Sequence, residues 1–316
     1  MVPPRLSRPP RLVVVCGQTA SGKGGLARAL AHRLEGEIVA ADSRKIYRGL
    51  DIGTAKPDAV ARAELGHHLI DVAEPDEVFS AARYAALADR AIAAIAGRGR
   101  LPLVVGGTGL YLRALLYGLI DTPPADQALR RRLEQQHRQR PGSLHAELRR
   151  IDPAAAARIA PGDELRLVRA LEVHALTGRP LSAVQADHGF DRPRYPAYAL
   201  AVAWPAEQLA ARITARVDRM LAAGWLDEVR ALRRAGARRA LRVVGYRQLA
   251  AHLDGVCSLD QARQAICRAH RRYARQQRKW FRADPAVRWL DAPVEAEALA
   301  EQLHRWLTGP AVEPQL

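Results

Sequence analysis

The chain has 316 residues, 48% of them apolar, which is enough to bury the core of two domains or of one α/β domain with an insertion. Its 49 lysines and arginines exceed its 33 acidic residues and give a formal net charge of +16. Such an excess favours a polyanionic partner, and nucleic acid over a membrane surface, although an arginine-rich genome can produce the same composition.

Three cysteines without a C-x-x-C spacing argue against a disulfide framework and against a zinc site. Residues 1–10 are rich in proline and arginine and are predicted to form a disordered tail rather than a signal peptide. No apolar segment approaches the length that spans a membrane. These features predict a soluble, cytoplasmic protein with no membrane partner.

The first apolar run, Leu12–Cys16, predicts a buried parallel strand that leads into a glycine-rich loop, GQTASGKG. The loop fits the first seven positions of the phosphate-binding pattern G-x-x-x-x-G-K-[ST]. Glycines let backbone N–H groups turn toward an anion, and the predicted helix from Gly25 to about Leu34 adds the positive end of its dipole. The predicted diphosphate-binding residues are Gly17, Gln18, Thr19, Ala20, Ser21, Gly22, Lys23 and Gly24.

The eighth position of the pattern is Gly24, where a serine or threonine hydroxyl ordinarily helps to bind Mg²⁺. The sequence therefore predicts phosphate binding clearly, and a kinase or an ATP-hydrolysing motor less clearly. Mg²⁺ is the expected cofactor, bound at a weakened site with no certain protein ligand.

Apolar strands alternate with amphipathic helices up to about Gly118, which predicts a parallel sheet with right-handed crossovers. After a proline-containing break at 121–124 the chain is polar and helical, and a strand reappears at Ala197–Ala203. The predicted fold class is α/β, with a P-loop NTPase-like core at 11–120 and 190–316 and a mostly helical insertion at 121–189. The other predicted elements are strands Glu37–Ala41, His68–Val72 and Leu101–Val105, and helices Ala81–Ala96, Ala206 to about Arg234 and Leu259–Arg282.

Two polar residues follow predicted strands and are expected at the same crevice as the loop, because carboxyl ends of parallel strands share one edge. Asp42 follows Glu37–Ala41 and is interpreted as a metal ligand or general base, with a helix N-cap as the alternative. Thr108 lies in the second glycine-rich turn, GGTG, and could offer its hydroxyl to a bridging or leaving oxygen.

Arginines are concentrated on several predicted helices. Arg212, Arg216 and Arg219 share one helix face, which is either solvated or able to direct one guanidinium at a diphosphate. Basic residues without acidic neighbours fill 261–282 and are interleaved with aromatic side chains, a pattern that suits nucleic acid. Arginine-rich helices in the insertion predict that a large polyanion is held from two sides.

The ordered motifs of the chain resemble those of the tRNA dimethylallyltransferases. The most distinctive is the run DIGTAKP at 51–57, and the similarity extends from about Leu12 to Leu290. The matching motifs are GQTASGKG (17–24), DSRKIYRGLDIGTAKP (42–57), HHLIDVAEP (67–75), GGTGLYLRALLYGL (106–119), RLVRALEVHALTGRPLS (166–182), RMLAAGWLDEV (219–229), VGYRQL (244–249) and YARQQRKWFR (273–282). Gly24 departs from the serine or threonine that is usual in the family.

This resemblance implies transfer of a dimethylallyl group from dimethylallyl diphosphate to N6 of the adenine 3′-adjacent to the anticodon of tRNA. It implies that Lys23 and Arg216 neutralise the diphosphate, that Asp42 is the general base and that Thr108 lies near the leaving oxygen. The partners implied are the tRNA anticodon stem-loop and the prenyl donor, and the protein is expected to be a monomer. The tRNA-binding residues it implies are Asp42, Ser43, Arg44, Lys45, Thr108, Arg130, Arg166, Arg169, Arg242, Gly245 and Tyr246.

Three other functions stay open on the sequence. One is prenylation of free AMP or ADP by an adenylate isopentenyltransferase, against which the basic surface and the helical insertion argue. Another is a small-molecule kinase, for which Gly24 is unfavourable. The non-enzymatic alternative is an RNA-binding homologue with an impaired diphosphate site, and Gly24 is its best support.

Overall fold

The computed structural model describes residues 9–310, so the tail predicted at 1–10 lies outside the described residues apart from Pro9 and Pro10. The chain divides into two compact units. The larger comprises the chain up to Leu116 and again from Pro193, and the smaller is Tyr117–Arg192.

A six-stranded parallel sheet forms the centre of the larger unit, with strand order β3-β2-β4-β1-β5-β6. Strand β1 is buried along its whole length, as an inner strand covered on both faces should be. The predicted α/β fold class is confirmed. The strands are β1 Leu12–Cys16, β2 Gly36–Ala41, β3 His67–His68, β4 Leu101–Gly106, β5 Ala197–Ala203 and β6 Val287–Asp291.

Helices flank the sheet in the larger unit and make up the smaller one. Within residues 9–310, no helix is both long and apolar enough to cross a membrane. A short 3₁₀ helix covers Ala240–Arg242. The α-helices are α1 Lys23–Arg33, α2 Ala59–Glu64, α3 Ala81–Gly97, α4 Gly109–Tyr117, α5 Gln127–Gln139, α6 Ser143–Ile151, α7 Pro153–Ala156, α8 Glu164–Thr177, α9 Leu181–His188, α10 Ala206–Ala222, α11 Trp225–Arg234, α12 Tyr246–Leu253, α13 Leu259–Arg282 and α14 Ala296–Thr308.

Two predicted elements are shorter than the patterns indicated. The predicted strand His68–Val72 is confined to His67–His68, because Leu69 and Asp71 take left-handed backbone conformations with φ of 63° and 58°. The predicted single helix from Ala206 to Arg234 is two helices, since Gly224 has a φ of 94° and caps the second.

The strand order brings the predicted site to one edge of the sheet. Strand β1 lies between β4 and β5, and β4 pairs with β2 on its other side. The glycine-rich loop follows β1, Asp42 follows β2, and Thr108 comes soon after β4. Parallel strands place all three segments at the carboxyl edge, where α/β sheets bind ligands.

The smaller unit is built around an apolar cluster and the fully buried carboxylate of Glu172. Leu144, Leu148 and Leu167 are fully buried in the cluster. The side chain of Glu172 is also fully buried, and it accepts hydrogen bonds from the guanidinium groups of Arg130 at 2.8 Å and Arg169 at 2.5 Å. Burial alone would raise the pKa of Glu172, but these arginine contacts outweigh it and hold the pKa below its usual value.

We predict that Glu172→Ala destabilises this unit by about 3 to 5 kcal/mol, because it leaves two partly buried guanidinium groups without their carboxylate. The measurement is urea unfolding of the full chain. Asp187→Ala is the matched control, since Asp187 forms an exposed pair with Arg179 whose loss costs less than about 1 kcal/mol. Equal losses in the two variants would contradict the prediction.

Candidate active site

The loop after β1 is held in a phosphate-binding shape by contacts from α10 and the segment before it. The Arg212 Nε–H donates to the carbonyl oxygen of Ala20, and the Trp204 indole N–H donates to that of Ser21, both at 2.9 Å. The Arg212 guanidinium also lies 4.1 Å from the centre of the Trp204 ring. Gly22 supplies the left-handed φ of 88° from which helix α1 starts. Contacts from outside the loop therefore hold its backbone in place.

A buried glutamine joins this loop to the second glycine-rich turn. The Thr19 backbone N–H donates to Gln277 Oε1 at 2.7 Å, and Gln277 Nε2 donates to the carbonyl oxygen of Gly107 at 2.8 Å. A Cβ on Gly107 would lie 2.1 Å from Gln277 Nε2, so only glycine fits there. Gln277 thus fixes the distance between the phosphate loop and the turn that carries Thr108.

Asp42 and Thr108 organise the opposite side of the crevice. Asp42 Oδ1 accepts the backbone N–H groups of Arg44 at 2.9 Å and Lys45 at 3.4 Å and so closes a turn. No helix begins directly after Asp42 in the described chain, so the N-cap alternative weighed on the sequence is wrong. Thr108 Oγ1 accepts the Ser43 backbone N–H at 2.9 Å. The turn uses only Oδ1 of the carboxylate, so Asp42 can also present Oδ2 to a ligand in the adjoining cavity.

The loop and Asp42 line the same cavity of about 340 Å³, together with five lysines and arginines: Lys23, Arg28, Lys45, Lys56 and Arg216. Lys23 Nζ donates to the carbonyl oxygen of Gln18 at 2.9 Å, and Arg216 Nη1 to Thr19 Oγ1 at 3.3 Å. Burial, and after it the nearby Arg216 charge, lower the pKa of Lys23 to about 8. Burial also lowers the pKa of Lys45. These cations repel one another, and an anion bound among them would relieve that repulsion.

A second, wider cavity of about 1270 Å³ adjoins the first. Ala20, Arg28, Lys56 and Arg216 line both cavities. Of the arginine face predicted on the sequence, Arg212 is engaged with the loop, Arg219 lines the wider cavity, and Arg216 is the member placed to reach an anion at the loop.

The remaining predicted residues do not all lie together. Arg130, Arg166 and Arg169 belong to the smaller unit, and of these only Arg166 is exposed without a contact to Glu172. Gly245 and Tyr246 are buried, so neither residue is accessible to a large ligand. Arg44 and Arg242 are exposed in the larger unit.

Sequence reasoning missed two residues that position the site. Glu228 accepts the backbone N–H groups of Asp51, Ile52 and Gly53 at 2.7 to 3.1 Å, and the Tyr246 hydroxyl at 2.6 Å. Glu228 thereby holds residues 51–53, of which Asp51 and Ile52 line the wider cavity. The other is Gln277, and its only signal in the sequence is its place on the buried face of an otherwise basic helix.

The residues around the loop do not fit a Mg²⁺ ion held by the protein. Among residues 9–310, no group of three or more His, Cys, Asp or Glu side chains could hold a metal ion. The smaller cavity is lined by more basic than acidic groups, and position 24 carries no hydroxyl. Mg²⁺ prefers oxygen ligands, chiefly carboxylates, phosphates and water.

These features place the chain among α/β proteins with a glycine-rich loop after the first strand, and comparison with known proteins identifies its family. The model of the IPP transferase family matches residues 45–284. A tRNA dimethylallyltransferase from Anaeromyxobacter dehalogenans (strain 2CP-C) is 53% identical over 299 residues, which cover 93% of this chain and 99% of that protein. Another, from Geobacter sulfurreducens, is 45% identical over 294 residues, covering 92% and 94%.

Solved structures agree with this relationship. The full-length tRNA isopentenylpyrophosphate transferase from Bacillus halodurans is 37% identical, with a TM-score of 0.68 and coverage of 94% of this chain and 95% of that one. A eukaryotic dimethylallyltransferase acting on tRNA has a TM-score of 0.76 at 26% identity, over 95% of this chain and 76% of that one. The chain belongs to the IPP transferase family. The resemblance stated from its motifs is confirmed, and so is the prediction of a prenyltransferase enzyme.

The depressed pKa of Lys23 predicts how anion affinity depends on pH. Lys23 is charged below pH 8 and loses its charge as the pH rises through about 8, so affinity for inorganic pyrophosphate should fall between pH 7 and 9. The measurement is calorimetric titration across this range. Lys23→Arg is the control, because arginine stays charged and should flatten the part of the slope that Lys23 causes. Parallel pH profiles for the two proteins would contradict the assignment.

Proposed function

We propose that this chain transfers a dimethylallyl group from dimethylallyl diphosphate to N6 of the adenine 3′-adjacent to the anticodon in tRNA. The observation that carries the proposal is the single cavity in which Asp42 faces the phosphate loop, Lys23 and Arg216. One side offers cations to a departing diphosphate, and the other offers a carboxylate to a proton-bearing nucleophile. The family membership supports the same reaction.

The diphosphate end of the donor binds at the loop in this proposal, at residues 17–24. Backbone N–H groups and the start of helix α1 attract the anion, and Lys23 and Arg216 add full charges. Ionisation of the allylic C–O bond places further negative charge on the leaving oxygen, where preorganised cations stabilise it most. Thr108 is proposed to lie near that oxygen; its hydroxyl accepts the Ser43 backbone N–H, and its neighbour Gly107 is held by Gln277.

Asp42 activates the acceptor. An adenine amino group is a weak nucleophile because its lone pair is delocalised into the ring, so removal of its proton as the new C–N bond forms favours transfer. Asp42 accepts the N6–H hydrogen bond and then the proton. Reaching the cavity requires the base to leave its stack, as for other enzymes that modify bases.

The tRNA contacts are proposed for two regions of the chain. In the larger unit they are Asp42–Lys45, Thr108, Arg242 and the turn at Gly245 and Tyr246, where the buried Tyr246 acts by holding the turn. In the helical unit, proposed at 121–189 to bind the anticodon stem-loop, Arg166 is exposed, and Arg130 and Arg169 keep part of their guanidinium surface exposed beside Glu172. We propose that the enzyme acts as a cytoplasmic monomer.

Mg²⁺ enters this proposal as the counter-ion of the diphosphate, bound by phosphate oxygens and water, because the protein offers no ligand set for it. Lys23 and Arg216 carry the neutralisation that a protein-bound ion would otherwise share. Gly24 is the observation that favours the second candidate function, an RNA-binding homologue with an impaired diphosphate site.

Asp42→Asn should lower kcat by about 10² to 10⁴-fold. The amide oxygen can still accept the backbone N–H groups of Arg44 and Lys45, but the amide cannot take a proton from the substrate. The assay is transfer of label from dimethylallyl diphosphate to an anticodon stem-loop, with AMP as a competing acceptor. Unchanged Tm and unchanged pyrophosphate affinity would show that the variant is folded. Equal transfer by Asp42→Asn and wild type would contradict the role of Asp42, and preference for AMP would favour an adenylate isopentenyltransferase.

Gly24→Ser tests whether the missing hydroxyl impairs the enzyme. No atom lies within 4 Å of a Cβ built on Gly24, so serine fits without displacing the loop. We predict a steeper dependence of the rate on Mg²⁺ concentration, with a change in kcat of less than about tenfold, because the cations already neutralise the diphosphate. An inactive wild type whose activity appears only in Gly24→Ser would instead support the impaired homologue.

A further inference from the structure

The segment after β3 is a strained turn beside the proposed reaction centre. Leu69 and Asp71 both have positive φ, 63° and 58°, although neither is a glycine. Such conformations are unfavourable for residues with a side chain and persist where the surroundings impose them, often at ligand clamps. Ile70 lies between these two residues, and its side chain lines the 340 Å³ cavity.

Ionic contacts to Asp71 hold this turn in place. Its carboxylate pairs with Lys56 at 2.5 Å and with Arg62 at 2.7 Å, and the Lys56 side chain is only 1% exposed. The Asp71 backbone N–H donates to the carbonyl oxygen of Lys45, and the Lys45 backbone N–H in turn donates to Asp42 Oδ1. Ile70 is therefore fixed relative to Asp42 and cannot withdraw from the cavity without breaking these contacts.

The cavity is lined by both charged and apolar residues. Lys23, Lys45 and Arg216 supply positive charge, whereas Ile38, Ala40, Ile70 and Val105 supply apolar surface. Ile38, Ala40 and Val105 belong to the inner strands β2 and β4, so the sheet fixes them as firmly as the turn fixes Ile70. A ligand with an anionic head and a short branched hydrocarbon tail matches both the charged and the apolar lining residues.

We infer that Ile70 is the specificity-determining residue that limits the length of the prenyl chain, by closing the cavity behind the tail. The inference rests on the proposed function, since it assumes that the diphosphate binds at the loop. Because the turn cannot relax, a longer tail meets the Ile70 side chain instead of displacing it. Shortening that side chain opens room for a second isoprene unit.

The test is a competition between dimethylallyl diphosphate and geranyl diphosphate, its ten-carbon homologue, for transfer to an anticodon stem-loop. Ile70→Ala should raise the geranyl-to-dimethylallyl ratio of kcat/KM by at least about tenfold, the scale on which apolar pockets discriminate by methylene groups. Ile70→Phe should lower dimethylallyl transfer while leaving inorganic pyrophosphate affinity unchanged. Val256→Ala, at a position 76% exposed, is the control and should leave the ratio unchanged.

Ile70→Val guards against misfolding of the alanine variant, because it removes one methyl group and should shift the ratio in the same direction with Tm nearly unchanged. An unchanged ratio in both folded variants, with active wild type, overturns the inference and leaves the proposed function standing. A wild-type protein that transfers neither group overturns the proposed function itself.

Discussion

The site depends on one buried amide, the side chain of Gln277. Through its oxygen it receives a backbone N–H from the phosphate loop, and through its nitrogen it donates to the turn after β4. An amide can do both at once, whereas a carboxylate or an ammonium can do only one. Helix α13 must therefore pack against the carboxyl edge of the sheet, and Gly107 must lack a side chain. The distance between the glycine-rich loop after β1 and the turn that carries Thr108 follows from this bridge.

In the proposed reaction, the charges around the loop compensate for the missing hydroxyl at position 24. Burial is the main cause that lowers the pKa of Lys23, Lys45 and Arg216, and repulsion by the Arg216 charge lowers the pKa of the two lysines further. A bound diphosphate relieves this repulsion and gains most when its charge rises as the prenyl group leaves. Since no phosphoryl group moves, no residue is needed to orient an attacking water. Gly24 then costs less here than it would in a kinase.

Much of the fold was predictable because its signals are local. The apolar run Leu12–Cys16, the glycine pattern after it and the alternation of strands and helices depend on neighbouring residues, and the sheet confirms them. The strained turn at Leu69 and Asp71 shortened a predicted strand, because its conformation is imposed by Lys56 and Arg62.

Contacts between distant segments were not predictable. Gln277 is 258 residues from its partner Thr19, and Glu228 is 175 to 177 residues from the backbone it holds. The arginines predicted to meet RNA show the same limit, since a pattern of charge does not reveal that Glu172 engages Arg130 and Arg169. The placement of Lys23, Asp42 and Arg216 in one cavity agrees with the motifs, and their chemical roles stay predictions.

The proposed transfer of a dimethylallyl group to tRNA is tested most directly by mass spectrometry of tRNA nucleosides from cells with and without this gene. We predict that N6-dimethylallyladenosine, or a nucleoside derived from it, is present in tRNA only when the gene is intact, and that reintroducing the gene restores it. Equal amounts of the prenylated nucleoside in both strains, with no other enzyme of the family in the cell, would contradict the account.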